Sequence, residues 1–272
     1  MRRRQFLAAA GAAAGAALAA DAFLIEPGRI ELTRHDVPVP RLPPSLVGLR
    51  IVQVSDLHLP ACRSHAEEVA GLLSAERPEI VLHTGDAVEN LDGVPVLAEL
   101  APALRGSVAT AAVFGNWEHR DERVVRAATS AWERAGVPLL GNGHVGVRVG
   151  DAALALVGLA DLLMARPDLE TARRGLAEEA VELWFGHEPE LADRLPATFL
   201  RPALLACGHT HGGQIRLPGI ATFTPVGSGR YVAGWYHDSA VPLYVSRGIG
   251  TAEVRARFRC RPELPVFRLS GA

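Results

Sequence analysis

The sequence predicts an α/β fold in which two sheets pack against each other between outer helices, and three patterns carry that reading. Residues 49–135 alternate apolar β-prone runs with amphipathic segments, the βαβα order that favours parallel strands. From residue 137 the runs shorten and are broken by Gly141-Asn142-Gly143 and Gly150-Asp151, hairpin signals that turn the sheet mixed or antiparallel. Five polar blocks each follow an apolar run, where open α/β sheets place their sites: Ser55-Asp56-Leu57-His58, Gly85-Asp86, Gly115-Asn116, Gly186-His187 and Gly208-His209-Thr210-His211.

Residues 30–35 partly alternate and read as a first strand, and proline-rich 37–44 separates them from a buried-type strand at 49–54. Ala66, Val69, Ala70 and Leu73 share one face of a helix over 64–76, which Pro78 ends. A strand at 79–83, a helix at 94–104, a strand at 108–114 and an acidic-started helix at 121–135, closed by Gly136, complete the first half. Short strands at 137–140, 145–149 and 153–159 follow, then a helix at 169–180, a strand at 181–185, a short helix at 189–195 and a strand at 203–207. Residues 214–236 form a Gly/Pro-rich loop. Strands at 243–246 and 254–258 come late, and 265–269 closes an edge.

The chain divides into a leader at 1–25, a linker with the first strand at 26–48, and one large domain at 49–272. Met1-Arg2-Arg3-Arg4-Gln5-Phe6-Leu7 puts paired arginines before Phe-Leu and an Ala/Gly stretch reaching Ala20, with Ala17-Leu18-Ala19 as a small-residue cleavage site. That pattern makes a signal peptide, and the arginine pair points to the twin-arginine export machinery and a place in the bacterial envelope, the periplasm or cell wall. Residues 7–25, interrupted only by Asp21, approach the roughly 20 residues that span a bilayer, so an uncleaved anchor with membrane association is the second reading.

Composition excludes other classes. Of 272 residues, 49% are hydrophobic, enough for a sizeable core and too many for a disordered chain. A net charge of -2 argues against nucleic acid as a dedicated partner. The chain has no lysine, so a substrate phosphate must be met by arginine, histidine, backbone N–H or metal. Three widely spaced cysteines, Cys62, Cys207 and Cys260, make neither a disulfide framework nor a zinc knuckle.

Oxygen and imidazole ligands arriving from several strand ends can hold two divalent cations about 3.5–4 Å apart, the apparatus of in-line displacement at phosphorus. Asp56 and His58, two residues apart, point to the same side of an extended chain. Gly85 lets the backbone turn and leaves the Asp86 carboxylate projecting, with two oxygens that suit it to bridge both ions. Asn116 offers a neutral oxygen, His187 follows the strand at 181–185, and glycines on both sides let His209 and His211 approach one centre. This nitrogen–oxygen set fits zinc, manganese or iron better than calcium or magnesium. His83 reads either as a supporting partner of the blocks or as a core polar residue, and Arg247 as a phosphate contact near them.

The order D-x-H, G-D, G-N, G-H, G-H-T-H-G-G-Q, with Tyr244-Val245-Ser246-Arg247-Gly248-Ile249-Gly250 and Arg261-Pro262-Glu263 beyond it, resembles the calcineurin-like metallophosphoesterases. It looks closest to their bacterial exported or membrane-associated phosphodiesterase branch, and runs from Leu49 to the C-terminus. The resemblance implies a four-layer α/β/β/α sandwich of two mixed sheets. It also implies one metal on Asp56, His58, Asp86 and His211, a second on Asp86, Asn116, His187 and His209, and a bridging hydroxide that attacks phosphorus in line.

One position departs from the family pattern. Many members carry a histidine directly after the asparagine, where it assists the leaving group; here that residue is Trp117, an apolar or stacking wall for substrate. His119 then reads either as a substitute general acid or as a solvent-facing histidine at a helix start. The substrate implied is a phosphoester, small or lipid-linked. A UDP-diacylglucosamine-type pyrophosphate hydrolase of envelope lipid metabolism and a non-catalytic metal-binding envelope protein are the alternatives.

Overall fold

A strand buried on both faces is apolar at nearly every position, so its alternation shows only in which neighbours each side chain meets. The structure, a computed structural model, describes residues 3–195, 202–220 and 222–272. Its strands are β1 (Glu31–Val39), β2 (Arg50–Val54), β3 (Ile80–Thr84), β4 (Ala109–Val113), β5 (Gly143–Val149), β6 (Ala152–Gly158), β7 (Val181–Phe185), β8 (Leu204–Cys207), β9 (Gly234–Tyr236), β10 (Leu243–Val245) and β11 (Glu263–Gly271). Its α-helices are α1 (Arg3–Ala20), α2 (Arg63–Glu76), α3 (Gly93–Leu100), α4 (Glu122–Arg134), α5 (Leu169–Ala172) and α6 (Leu191–Arg194).

One sheet runs β1-β11-β2-β3-β4, with β2, β3 and β4 parallel and β11 antiparallel to β2. The other runs β5-β6-β7-β8-β10-β9, with β6, β7, β8 and β10 parallel and an antiparallel strand at each edge. Ile51, Leu82, Ala111 and Val113 of the first sheet share one buried layer with Leu154, Leu156, Leu183 and Phe185 of the second. The residues between them turn outward. Val52, Val54, Val81 and Ala112 pack with the buried faces of α2, α3 and α4, while Ala155, Val157, Trp184 and Leu205 pack with α5 and α6. Helix, sheet, sheet and helix give the four-layer α/β sandwich that the resemblance implied.

Local chemistry sets the helix boundaries. Ala66, Val69 and Leu73 face inward along α2, and Arg77 ends it in a left-handed conformation before Pro78. Asp121 caps α4 by accepting the Arg123 N–H at 2.8 Å, and Val124, Ala128, Ala131 and Trp132 form its buried stripe.

Four expected elements differ, and in addition β9 forms inside the loop expected at 214–236 and β1 runs on into the segment expected to separate the strands, as far as Val39. The helix expected at 169–180 is only one turn, α5, because Gly175 takes a left-handed φ of 82° and the chain turns back toward β7. No strand forms at 254–258. There Arg257 is buried and donates to the carbonyls of Arg247, Gly248, Gly250 and Cys260, which curls the segment around its guanidinium. The expected strand at 137–140 is a single bridge between Leu139 and Ala112. Residues 265–269 do not close an edge, since β11 lies between β1 and β2. Pro265 is tolerated there because pairing with β2 begins only at Val266.

At the N-terminus α1 continues through a π turn (Asp21–Ile25) and a 3-10 turn (Glu26–Gly28). By length and composition Ala10–Gly28 is long and apolar enough to cross a membrane, and a signal sequence would pass the same test. Met1 and Arg2 of the leader motif lie outside the described residues.

Phe185 is fully buried between the sheets, so Phe185→Ala is expected to cost about 3–5 kcal/mol of stability, read as a lower midpoint in urea denaturation.

Candidate metal centre

β2, β3 and β4 are parallel, as are β7 and β8, so the turns after these five strands gather the polar blocks at the strands' carboxyl ends. Beneath them Gln53, buried on the inner face of β2, ties the two sheets together. Its Nε2 donates to Thr84 Oγ1 at 3.0 Å and to the Cys207 carbonyl at 2.9 Å.

Two clusters result, Asp56 with His58 and His211, and Asp86 with His187 and His209, each with its ligand atoms within 4.8 Å of one another. All six residues are buried. Asp86 joins the clusters, its Oδ2 standing 3.2 Å from His187 Nε2 and 3.8 Å from His58 Nε2. The backbone is bent hard to achieve this. Asp56, His58, Asp86, His209 and His211 have φ of 56°, 50°, 52°, 70° and 49°, left-handed conformations that cost on the order of 1 kcal/mol or more each and gather at functional sites. Gly115 is required by close approach, since a Cβ there would strike Asp86 Oδ1 and His187 Nε2.

Hydrogen bonds fix the direction of two lone pairs. His187 Nδ1 lies 2.8 Å from the Thr84 carbonyl and His209 Nε2 lies 2.7 Å from the Val226 carbonyl, so each of these nitrogens carries the ring hydrogen. The other two, His187 Nε2 and His209 Nδ1, face each other across 3.1 Å, and once His187 gives up its second proton both turn lone pairs toward one point. In the other cluster His58 Nε2 and His211 Nε2 are 3.0 Å apart. Two imidazoles bound to one zinc at about 2.0–2.1 Å in a tetrahedron have nitrogens about 3.3 Å apart, and ligating histidines characteristically give their far N–H to a carbonyl. Asn116 Oδ1 is buried with no hydrogen-bond partner. The donor set therefore fits divalent cations.

The comparisons with known proteins agree. The model of the calcineurin-like phosphoesterase superfamily domain matches residues 49–234. The metallophosphoesterase YkuE of Bacillus subtilis is 31% identical over 284 residues, covering 100% of this chain and 98% of that protein. This chain belongs to the calcineurin-like phosphoesterase superfamily. It is therefore a hydrolase of the metallophosphoesterase type with two candidate sites for divalent metals. The phosphodiesterase YaeI of Escherichia coli is 28% identical, with 90% of each chain covered. A zebrafish transmembrane protein with a metallophosphoesterase domain is also 28% identical, over 87% of this chain and 56% of that protein.

A pocket of about 410 Å³ lies over the clusters, lined by Asp86, Asn116, His209 and His211, with Trp117 and Arg120 on one side and Phe223 on the other. The Trp117 ring stands edge-on to His58, centroids 5.2 Å apart. The Trp117 backbone N–H donates to Asp86 Oδ1 at 2.9 Å. His119 does not line this pocket; its ring packs edge-on against Phe114 at 5.7 Å. Arg247 is not in the lining either, being held by Glu263 at 3.1 Å and Glu31 at 2.8 Å. His83 is a core polar residue, with Nε2 2.9 Å from the Leu104 carbonyl and its ring on Trp132.

Two residues escaped the sequence reading. Glu118 is fully buried and accepts the backbone N–H groups of Asp86, Val88 and Gly115 at 3.2, 3.1 and 3.0 Å, clamping two ligand turns together. Arg120 sets its guanidinium 3.6 Å over the Trp117 ring at the pocket wall. The signal for Arg120 was its place three residues after Trp117, one turn along. Glu118 gave none beyond looking like an acidic helix start.

Burial dominates the electrostatics. It pushes Glu118 up to about 8, helped by the charge of Asp86, and Glu188, beside Asp161, also to about 8. Asp56 is pushed up to about 6, and His58 and His209 are lowered to about 4. Burial disfavours the ionised forms of Asp86 and His187 too, yet their mutual attraction holds Asp86 low and His187 high. A raised carboxyl contributes stability that is complete below its unfolded value and is lost as pH rises through the folded one; the raised His187 acts in the same sense. The lowered histidines oppose this only below their unfolded value of 6.5. The metal-free protein is therefore expected to lose stability from pH 6.5 up through about 8. Manganese or zinc should restore more stability at the upper end, because ligands bind metal deprotonated; denaturation midpoints with and without the ion check this.

Proposed function

We propose that the chain is a two-metal phosphoester hydrolase, a phosphodiesterase, in which Asp56, His58, Asp86 and His211 would hold one ion and Asp86, Asn116, His187 and His209 the other. The observation that carries this reading is the approach of His187 Nε2 and His209 Nδ1 to 3.1 Å with the Asp86 carboxylate alongside. Two divalent ions bound there would activate a water and neutralise charge on the phosphoryl oxygens. The side chains do the rest. Asp86 holds the two positions at a fixed spacing, and Glu118 holds Asp86 and the Gly115 turn in place. Arg120 offers the pocket a permanent cation, and its stacking on Trp117 limits the motion of both.

Leaving-group protonation is the weak point of the site. His119 rests against Phe114 rather than in the pocket, so the departing oxygen takes its proton from solvent and esters with acidic leaving groups are favoured. The substrate is a phosphoester of small or lipid-linked type, and the N-terminal helix serves as a twin-arginine signal or as an anchor for export to the bacterial envelope.

Purified protein is expected to bind two metal ions and to hydrolyse bis-p-nitrophenyl phosphate in manganese or zinc. Asp86→Ala should lose both ions by elemental analysis, and full activity in that variant would remove the assignment. His119→Ala should leave kcat/KM unchanged for an ester with a poor leaving group; a selective loss there would return His119 to the role of general acid.

A further inference from the structure

Exposed apolar side chains line the pocket and follow it along the chain. Phe223, in the lining, is 84% exposed, and Leu217, Ile220 and Val226 of the same segment face water beside it in sequence, Val226 at 78%. Ile215 and Val254, also exposed, line the same pocket. Burial of such residues against water-excluding surface is worth about 25 cal/mol per Å², so a soluble domain leaves them gathered only where something covers them.

This rim is continuous with the N-terminal segment. Ile215 bridges Phe258, and the Arg216 N–H donates to the Phe258 carbonyl at 2.9 Å. One residue back, the Arg257 N–H donates to the Ala22 carbonyl at 2.9 Å, and the buried Glu26 side chain accepts the Cys260 N–H. Phe23, Leu24 and Ile25 are exposed at that junction, at the end of the apolar helix Ala10–Gly28. Arg29 and Arg259 are exposed beside it, a basic border suited to anionic headgroups.

We infer that this rim docks on a phospholipid bilayer, with Leu217, Ile220 and Phe223 seated at the interface beside the N-terminal helix. The occupant is lipid because the rim adjoins a helix of bilayer-spanning length and is bordered by arginine, the combination of apolar area and basic charge that holds a protein on an anionic membrane. The pocket mouth then opens at the bilayer surface. The docking surface stands apart from the hydrolase reading; its consequence rests on that reading. A phosphoester carried by an amphiphile can reach the ligands with its apolar tail still in the membrane.

The full chain carrying Ile220→Cys provides the test, since Cys62, Cys207 and Cys260 are all buried and resist labelling. Nitrobenzoxadiazole is attached at residue 220, and in a control at Asp151→Cys, in the turn entering β6 at the far end from the ligands. On adding vesicles of phosphatidylcholine and phosphatidylglycerol, emission from residue 220 should shift to the blue and be quenched by spin-labelled lipid, with residue 151 unchanged. A label at 220 that stays in water, whether the chain binds the vesicles or not, overturns the proposal. So does a shift that follows protein concentration without vesicles, which would make the partner a second copy. Hydrolysis of bis-p-nitrophenyl phosphate in the same samples reports separately on the hydrolase reading.

Discussion

Two buried ring nitrogens held 3.1 Å apart, each with its ring partner committed to a carbonyl, need a cation between them, a proton or a metal. That constraint organises the molecule. The left-handed turns at Asp56, Asp86 and His209, the glycines that let backbone crowd the ligands, and the Glu118 clamp all spend stability to hold acceptors together. The remainder of the fold supplies what they cost: an inner layer closed by both sheets, and outer layers closed by helices. Gln53 fastens the sheets directly below the site, so the two clusters cannot slide past one another without breaking a buried hydrogen bond.

Much of this was legible in the residues. An apolar run followed by a turn residue and a ligand, five times over, marked both the parallel strands and the positions of the clusters. The period of two was hidden, because both faces of these strands are buried. It reappears as alternation between the inner layer and the helical layers, with Ile51 facing in and Val52 facing out.

What stayed hidden was chemistry directed at the backbone. Glu118 serves three N–H groups, one from its own turn and two from the turn after β3, and Arg257 serves four carbonyls; neither partner type leaves a mark in the sequence of side chains. Arg257 read as part of a late strand for that reason. The late strand misled in a different way, since nothing local says which neighbours a strand will take. The proline at 265 fits the sheet interior only because its missing N–H falls before the ladder with β2 begins.

The placement of β11 has a temporal meaning. In the first sheet the place between β1 and β2 is filled by β11, more than 200 residues later in sequence than β1. During synthesis β2, β3 and β4 can pair as they appear, but β1 has no partner in the sheet until residues 263–271 leave the ribosome. The N-terminal segment, tied to residues 257–260, is likewise without its docking place until then. Completion of the first sheet and settlement of the N-terminal helix against the domain are thus one late event, and it waits for residues 263–271.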